Sequence, residues 1–193
     1  RRAREVYQNV EEMLEVEDAG KLISARLRLA DGFLEIGESE KARKHAMGVH
    51  DLSLELNEHQ LHARSRVILG RYYAKTKDSE LSLLHYNAAL ETFSEEANPT
   101  NAVETEMLLG QVLVDVGRTS EASEHYLDAL SIAEANDFRL LQAEILARLG
   151  TIRGDRSERV AYLQRSLSVF KDLGAHTRMK EIQNSVHRAL MGR

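Results

Sequence analysis

The sequence has no cysteine, no tryptophan and one proline in its 193 residues, and only 5% of the residues are aromatic. Without cysteine there are no disulfides, and the composition is typical of a reducing compartment, so we expect a cytoplasmic location. So few aromatic side chains predict a core of aliphatic residues and alanine, as close helix packing prefers. No apolar run approaches the roughly 18 residues of a membrane-spanning helix, so we expect no membrane partner.

Charge of one sign is not concentrated along the chain either. The formal net charge is −5, and acidic and basic residues are interspersed rather than gathered in blocks. Nucleic-acid-binding proteins usually have a strongly basic face. The sequence indicates no such face, so we expect no nucleic-acid partner. The cluster of Arg153, Arg156 and Arg159 is flanked by Asp155 and Glu158. We interpret it as a charged loop, with an RNA or acidic-partner contact as the alternative.

Strong helix formers dominate the sequence, and the sustained alternation typical of strands is absent. The stretch 103–136 predicts two amphipathic helices joined by a turn at Gly117, a residue suited to a left-handed helix end. Thr119 or Ser120 is expected to cap the second helix. Gly110 lies inside the first helix, where glycine costs about 1 kcal/mol relative to alanine, so we expect the partner helix to approach closely there. The apolar stripe of the second helix contains Ala122, Tyr126, Ala129, Leu130 and Ala133.

The same pattern recurs every 40 residues. A single hairpin cannot bury its apolar stripe, whereas stacked hairpins can, so the period predicts an all-α solenoid. In the first helices, the recurring small residues are Ala30, Gly70, Gly110 and Gly150. The second helices align through Ala42, Ser82 and Ala122, through Ala46, Tyr86 and Tyr126, and through Val49, Ala89 and Ala129.

The whole chain, 1–193, is predicted to be one array of antiparallel helix hairpins. Residues 1–16 fit a second helix that lacks its partner, so we expect a fragment of a larger multidomain protein. Complete hairpins are predicted at 20–56, 59–96, 100–136 and 138–172. The fourth begins with a helix over 138–153 and has lost about three residues at the turn near Gly154. A last helix at 175–191 has a polar back and is interpreted as a capping helix.

These residues resemble the tetratricopeptide repeat (TPR) family. The resemblance rests on Leu109-Gly110-x2-Leu113 followed by Ala122-x3-Tyr126-x2-Ala129-Leu130, and it covers essentially the whole chain. The period is 40 rather than about 34, which is typical of a longer repeat type. The resemblance implies a right-handed superhelical solenoid, an α-α superhelix, that serves as a recognition surface. The family's first tryptophan is replaced by Arg26, Arg66, Glu106 and Leu146.

By the same resemblance, the first helices line a concave groove that holds a protein or peptide partner. Arg64, Arg71 and Lys75 share one face of a helix, which favours a partner with an acidic group. The alternative is that they are ordinary solvated charges. The Asn-rich clamp of chaperone-binding members is not visible, so a chaperone tail is not expected as the ligand. The implied groove residues are Arg64, Val67, Arg71, Lys75, Glu104, Met107, Gln111 and Val114, in rows that also contain Ser24, Leu27, Asp31, Leu34, Ala74, Glu144, Ala147 and Thr151.

The histidines do not predict a metal or catalytic site. His45, His85 and His125 recur at the 40-residue period. Helix packing would separate them by about 10 Å, which is too far for one shared metal ion. His59 and His62 have no clear third ligand. No phosphate loop, nucleophile elbow or zinc-protease motif is present, so we expect no cofactor and no enzyme activity.

The sequence therefore predicts a protein–protein interaction scaffold. Two alternatives remain open at this point. One is a regulatory or sensor domain of a bacterial transcription or signalling protein, in which ligand binding tightens the superhelix. The other is an assembly module that forms homo-oligomers.

Overall fold

The computed structural model describes residues 19–191, except Arg153. The predicted lone helix at 1–16 lies outside the described residues. Within the described part the fold is all-α, and no strand occurs there. The helices are α1 (Ala19–Glu35), α2 (Ser39–Glu55), α3 (His59–Lys75), α4 (Ser79–Glu95), α5 (Pro99–Asp115), α6 (Thr119–Ala135), α7 (Arg139–Leu149), α8 (Arg156–Asp172) and α9 (His176–Met191).

The helices are arranged as hairpins, which confirms the predicted fold class. The first helices α1, α3, α5 and α7 begin at residues 19, 59, 99 and 139, and each is followed by its second helix. Contacts divide the chain into two compact units, a first unit ending at Asn98 and a second unit beginning at Pro99. The first unit contains α1 to α4, and the second contains α5 to α9. The single array remains a prediction.

Each unit has its own apolar core. In the first unit, α1, α2 and α3 share one buried cluster, with Phe33 and Leu34 fully buried at its centre. In the second unit, Tyr126 of α6 is buried beside α5, and a further cluster joins α7, α8 and α9 around Leu163 and Phe170. Alanine fills many of the remaining core positions, as the scarcity of aromatic residues predicts.

The close approach expected at Gly110 is confirmed. A Cβ atom added to Gly110 would lie 2.6 Å from a ring carbon of Tyr126, and one added to Gly70 would lie 2.5 Å from the ring of Tyr86. Real Cβ atoms do not come this close to another side chain. Glycine is therefore required at these two positions because the tyrosine ring occupies the space of its side chain.

The helices end in a recurring left-handed residue. Gly117 has a φ of 83°, its N–H donates to the carbonyl of Val114, and the N–H of Arg118 donates to the carbonyl of Leu113. These two bonds form a Schellman motif, which satisfies carbonyls that the helix end leaves unpaired. The same conformation occurs at Gly37, Asn57, Lys77, Ala97, Gly117 and Asp137.

The predicted cap of α6 is wrong. Thr119 is the first residue of the helix, and Arg118 holds the N-cap position without a side-chain cap hydrogen bond. The short turn after Gly117 fixes the start of the helix at residue 119, so neither Thr119 nor Ser120 occupies the position from which a hydroxyl can cap. In contrast, Asp155 caps α8 by accepting hydrogen bonds from the N–H groups of Ser157 and Glu158.

The shortened turn predicted in the fourth hairpin is also wrong, because the helix is what has shortened. α7 ends at Leu149 after 11 residues instead of 17, and the connection to α8 is longer than in the other hairpins. Gly150 lies against Leu163, whose side chain would be 2.4 Å from an added Cβ atom. Gly70 and Gly110 make similarly close contacts inside helices that continue, so this contact does not by itself end α7.

No helix in the described part of the chain is long and apolar enough to cross a membrane.

Candidate partner-binding surfaces

The predicted groove residues of the first unit form the α3 surface (Arg64, Val67, Arg71 and Lys75). Arg71 bridges two carboxylates of α1, with Nη1 2.8 Å from Oδ1 of Asp31 and Nη2 2.7 Å from Oε1 of Glu35. Lys75 donates through Nζ to the backbone carbonyl of Leu34. Two of the three predicted cations are thus already bound to α1.

Arg64 differs from the other two cations. Its side chain is exposed, and it has no hydrogen bond or ion pair within the described residues. Its charge still acts on Asp31, whose pKa is raised by burial while Arg71 and Arg64 oppose that shift. Val67 is half-buried on the same helix. The α3 surface therefore presents two guanidinium groups. That of Arg64 has no bonded partner among the described residues, and that of Arg71 is bonded to α1.

The predicted groove residues of the second unit form the α5 surface (Glu104, Met107, Gln111 and Val114). Gln111 donates through Nε2 to Asp115 at 2.9 Å and accepts at Oε1 from Nη1 of Arg148 at 2.7 Å. Glu104 is exposed, Val114 is half-buried, and Met107 is only 7% exposed. Because Met107 is largely covered, the apolar part of this surface is smaller than the sequence suggests.

Polar bridges between successive first helices are the feature that sequence reasoning missed. Asp31 and Arg71 occupy the same position of two consecutive repeats and carry opposite charges. This change of charge at one repeat position could have indicated the bridge from the sequence alone. In the second unit the bridge to Gln111 comes from Arg148 of α7, whereas Thr151, which the sequence places in the same groove row as Gln111, lies beyond the end of α7 at Leu149.

Charged residues at the missing tryptophan position contact the second helices. Glu106 is buried, and its Oε2 lies 2.6 Å from Nδ1 of His125 in α6. This hydrogen bond raises the pKa of His125, against the effect of burial. Arg26 reaches over Gly48 of α2, where its Nη1 would be 2.8 Å from an added Cβ atom. At this repeat position, Glu106 therefore joins the two helices of its hairpin through a polar contact, and Arg26 lies across the backbone of the paired helix.

The recurring histidines lie in two kinds of setting. His45 stacks on Phe33 with ring centroids 5.5 Å apart, and His85 stacks on Tyr73 at 5.3 Å. His125 pairs with Glu106 instead. In the part of the chain that the structure describes, no three His, Cys, Asp or Glu side chains are placed to hold one metal ion. These histidines are accounted for by contacts within their own hairpins.

Comparison with known proteins agrees with this architecture. Residues 107–136 match the tetratricopeptide repeat family model. Among the curated proteins, none matches this sequence. The family match covers the third hairpin from the middle of α5 to the end of α6, where the Gly110 and Tyr126 pair lies.

Several solved structures share the fold. A signal-transduction ATPase (STAND) protein with a tetratricopeptide repeat sensor from Pyrococcus horikoshii superimposes with a TM-score of 0.83 at 14% identity, over 97% of this chain and 30% of that one. Aspartyl phosphate phosphatase F from Bacillus subtilis gives 0.81 at 13% identity, over 95% and 49%. The Rap conjugation gene regulator of plasmid pLS20, in complex with a Phr peptide, gives 0.64 at 14% identity, over 92% and 56%. At these identities the likeness shows the fold alone, and this chain spans half or less of the first two structures.

Proposed function

We propose that the chain is an interaction module of the longer, 40-residue TPR type that binds a protein or peptide segment through the α3 surface, in the cytoplasm. The TPR match at 107–136 and the likeness to repeat-containing sensors and regulators support an interaction role. One of these regulators was solved with a bound peptide, and an extended or helical peptide is the partner proposed here.

The observation that carries this proposal is that Arg71 and Lys75 of α3 are bonded to α1, whereas Arg64 is not. Arg64 is exposed and has no ion-pair partner in the described residues. An acidic side chain of a partner can therefore reach Arg64 without displacing another group. It can then replace Glu35 at Arg71, because the Glu35 side chain is 71% exposed and water already screens that pair. Charge-assisted hydrogen bonds to the two guanidinium groups would orient the partner along the helix.

The α5 surface of the second unit differs in charge from the α3 surface. Glu104 holds the position that Arg64 holds one repeat earlier, and Gln111 holds the position of Arg71. An acidic partner segment would gain nothing from Glu104, so the acidic partner is assigned to the α3 surface alone.

Peptide selection followed by charge reversal tests this proposal. Peptides would be selected from a random displayed library on the full chain, and their affinity measured by calorimetry. We expect Arg64→Glu and Arg71→Glu each to weaken binding by at least about tenfold, or roughly 1.4 kcal/mol. Arg165→Glu is the matched control, since Arg165 also forms an exposed ion pair, with Glu134, but lies on the second helix α8. Equal affinity of the variants and the parent would remove the assignment of the α3 surface.

A regulatory or sensor domain is the second candidate. The sensor and regulator neighbours favour it, because their repeats belong to proteins that are longer than this chain. In that case partner binding would relay a change to an attached domain, rather than only bringing two proteins together.

A further inference from the structure

A group of histidines lies between α2, α3 and α4 in the first unit, and we call His50, His62 and His85 the histidine cluster. The rings of His50 and His62 face each other, with centroids 4.3 Å apart and planes tilted by 42°. His85 stacks on Tyr73 of α3, with the two ring planes within 9° of parallel. One ring nitrogen in each of the three is buried without a hydrogen-bond partner among the described residues. A protonated imidazole carries two N–H donors, so a proton on any of these rings would add a charge without an acceptor to receive it.

The charges around the histidine cluster are mostly positive. Arg66 of α3 acts on all three rings, and His59 of the same helix acts on His62. Asp51, beside His50 on α2, is the one acid that the described residues place near enough to favour a proton there. Burial lowers the pKa of all three rings, and with His50, Arg66 and His59 nearby it lowers the pKa of His62 to about 4.

The second unit has the opposite charge at the equivalent position. Glu106 stands 40 residues after Arg66, and His125 stands 40 residues after His85. The Glu106 carboxylate lies 2.6 Å from the His125 ring and raises its pKa. A proton on His125 therefore strengthens the α5–α6 hairpin, whereas a proton on His85 is repelled by Arg66. One sequence position thus sets opposite responses to acid in two hairpins.

We propose that the histidine cluster and Arg66 form an acid-responsive joint in the first unit, whose protonation loosens the packing of α2, α3 and α4 while the α5–α6 hairpin stays closed. The joint is kept together at neutral pH by contacts of uncharged rings, with His50 against His62 and His85 stacked on Tyr73. Because α3 also carries Arg64 and Arg71, loosening would release a bound partner, and this consequence alone rests on the proposed function.

The direction of the pH dependence follows from the lowered pKa values. An unfolded chain binds protons at these histidines near pH 6.5, whereas the folded chain binds them only at lower pH. Their contribution to stability is therefore complete above about pH 6.5 and is lost as the pH falls toward about 4, the pKa of folded His62. His125 behaves in the opposite way, since its raised pKa adds stability that is present below about pH 6.5 and lost as the pH rises.

Hydrogen exchange of the full chain at about pH 7.5 and about pH 5.5 tests the joint, after correction for intrinsic exchange rates. We expect protection in α2, α3 and α4 to fall by about tenfold at the lower pH, with no fall in α5 and α6. Arg66→Glu, which gives the first unit the residue found at Glu106, should diminish that loss, since burial of the rings remains. His187→Gln, at an exposed position on α9, should leave it unchanged. An equal loss of protection in both hairpins, or an undiminished loss in Arg66→Glu, would overturn the proposal.

A titration of the unmodified chain provides a second test, which does not depend on whether a variant folds. The ring signals of the histidines would be followed by NMR from about pH 8 to about pH 4, with His62→Gln used only to assign its signal. We expect His62 to remain neutral at about pH 6, where an unperturbed histidine is mostly charged. A signal of His62 that titrates at about pH 6.5, as an unperturbed histidine does, would contradict the joint even if the exchange data agreed.

Discussion

At the scale of single residues, one pair of facing positions sets how closely the two helices of a hairpin approach. Where the first helix has glycine, the second helix supplies a large side chain that fills the same space. Tyr126 lies against Gly110 so closely that no Cβ atom fits between them. In the first hairpin, both equivalent positions are alanines, and both are fully buried. The pairs are Ala30 with Ala46, Gly70 with Tyr86, Gly110 with Tyr126, and Gly150 with Leu163.

Replacing Gly110 by leucine tests this compensation. The new side chain must displace the Tyr126 ring or push α5 and α6 apart, and overpacking of this kind costs about 1 to 3 kcal/mol or more. We expect Gly110→Leu to lower the free energy of unfolding by about 3 kcal/mol in urea denaturation. Gly154→Ala is the control, because nothing lies within 4 Å of a Cβ atom added there. A Gly110→Leu variant as stable as the parent would show that the two helices do not need to approach this closely.

At the scale of the helices, a left-handed residue follows most helices of the described part and sets where the next one begins. The helix α7 is an exception, since Gly150 after it has a φ of −68°. The left-handed conformation costs roughly 1 to 2 kcal/mol for a residue with a side chain, and glycine avoids the cost. Gly37 and Gly117 meet the requirement, whereas Lys77 occupies the same position of the second hairpin with a φ of 66°. The second hairpin therefore retains backbone strain that its two neighbours in sequence lack.

Lys77→Gly should stabilise the chain. Removal of the side chain relieves the strain at positive φ, and part of this gain is offset by the greater freedom of glycine in the unfolded chain. We expect a net gain of about 0.5 to 1 kcal/mol in urea denaturation. The reciprocal variant Gly117→Lys should lose a similar amount. A destabilised Lys77→Gly variant would mean that the lysine side chain makes a contact worth more than the strain.

The sequence predicts the helices well, and its errors occur at their ends. Apolar spacing and the 40-residue period locate every described hairpin, because burial of one stripe per helix dominates the packing. The end of α7 was missed because Gly150 aligns with Gly70 and Gly110, which lie inside their helices, so the repeat pattern predicts a helix that continues past residue 149. The cap of α6 was missed because Arg118 holds the N-cap position without a capping side chain, contrary to the usual preference.

At the scale of the whole molecule, the sequence predicts which residues form the candidate surface but not which groups they bind. The cations of α3 follow from helical spacing, but their partners do not. Arg71 is held by Asp31 and Glu35, which lie in the preceding repeat and come within 3 Å only through packing of α1 against α3. The sign change between Asp31 and Arg71 at one repeat position would have suggested the bridge. No such signal exists for Lys75, which binds a backbone carbonyl.

The exposed apolar side chains of the whole molecule bear on self-association. They are spread over several helices, at Met47, Leu54, Leu56 and Leu84 in the first unit and at Val116, Leu127, Leu140, Leu173, Leu190 and Met191 in the second. A specific dimer buries about 1,200 to 2,000 Å² in one continuous patch, which isolated side chains do not provide. The described part of the chain concentrates them most near the end of α9, where Leu190 also lines a shallow depression with Val160 and Ala161.

We therefore expect the chain to be a monomer, with light scattering giving the mass of one chain at every concentration measured. The outward side of α9 is polar, and Leu190 lies at its edge. A mass that rises with concentration would instead favour the assembly module. In that event Leu190→Lys should restore the monomer if α9 forms the contact, because a buried unpaired charge opposes association. Leu84→Lys, at an even more exposed apolar position in the first unit, should not restore it.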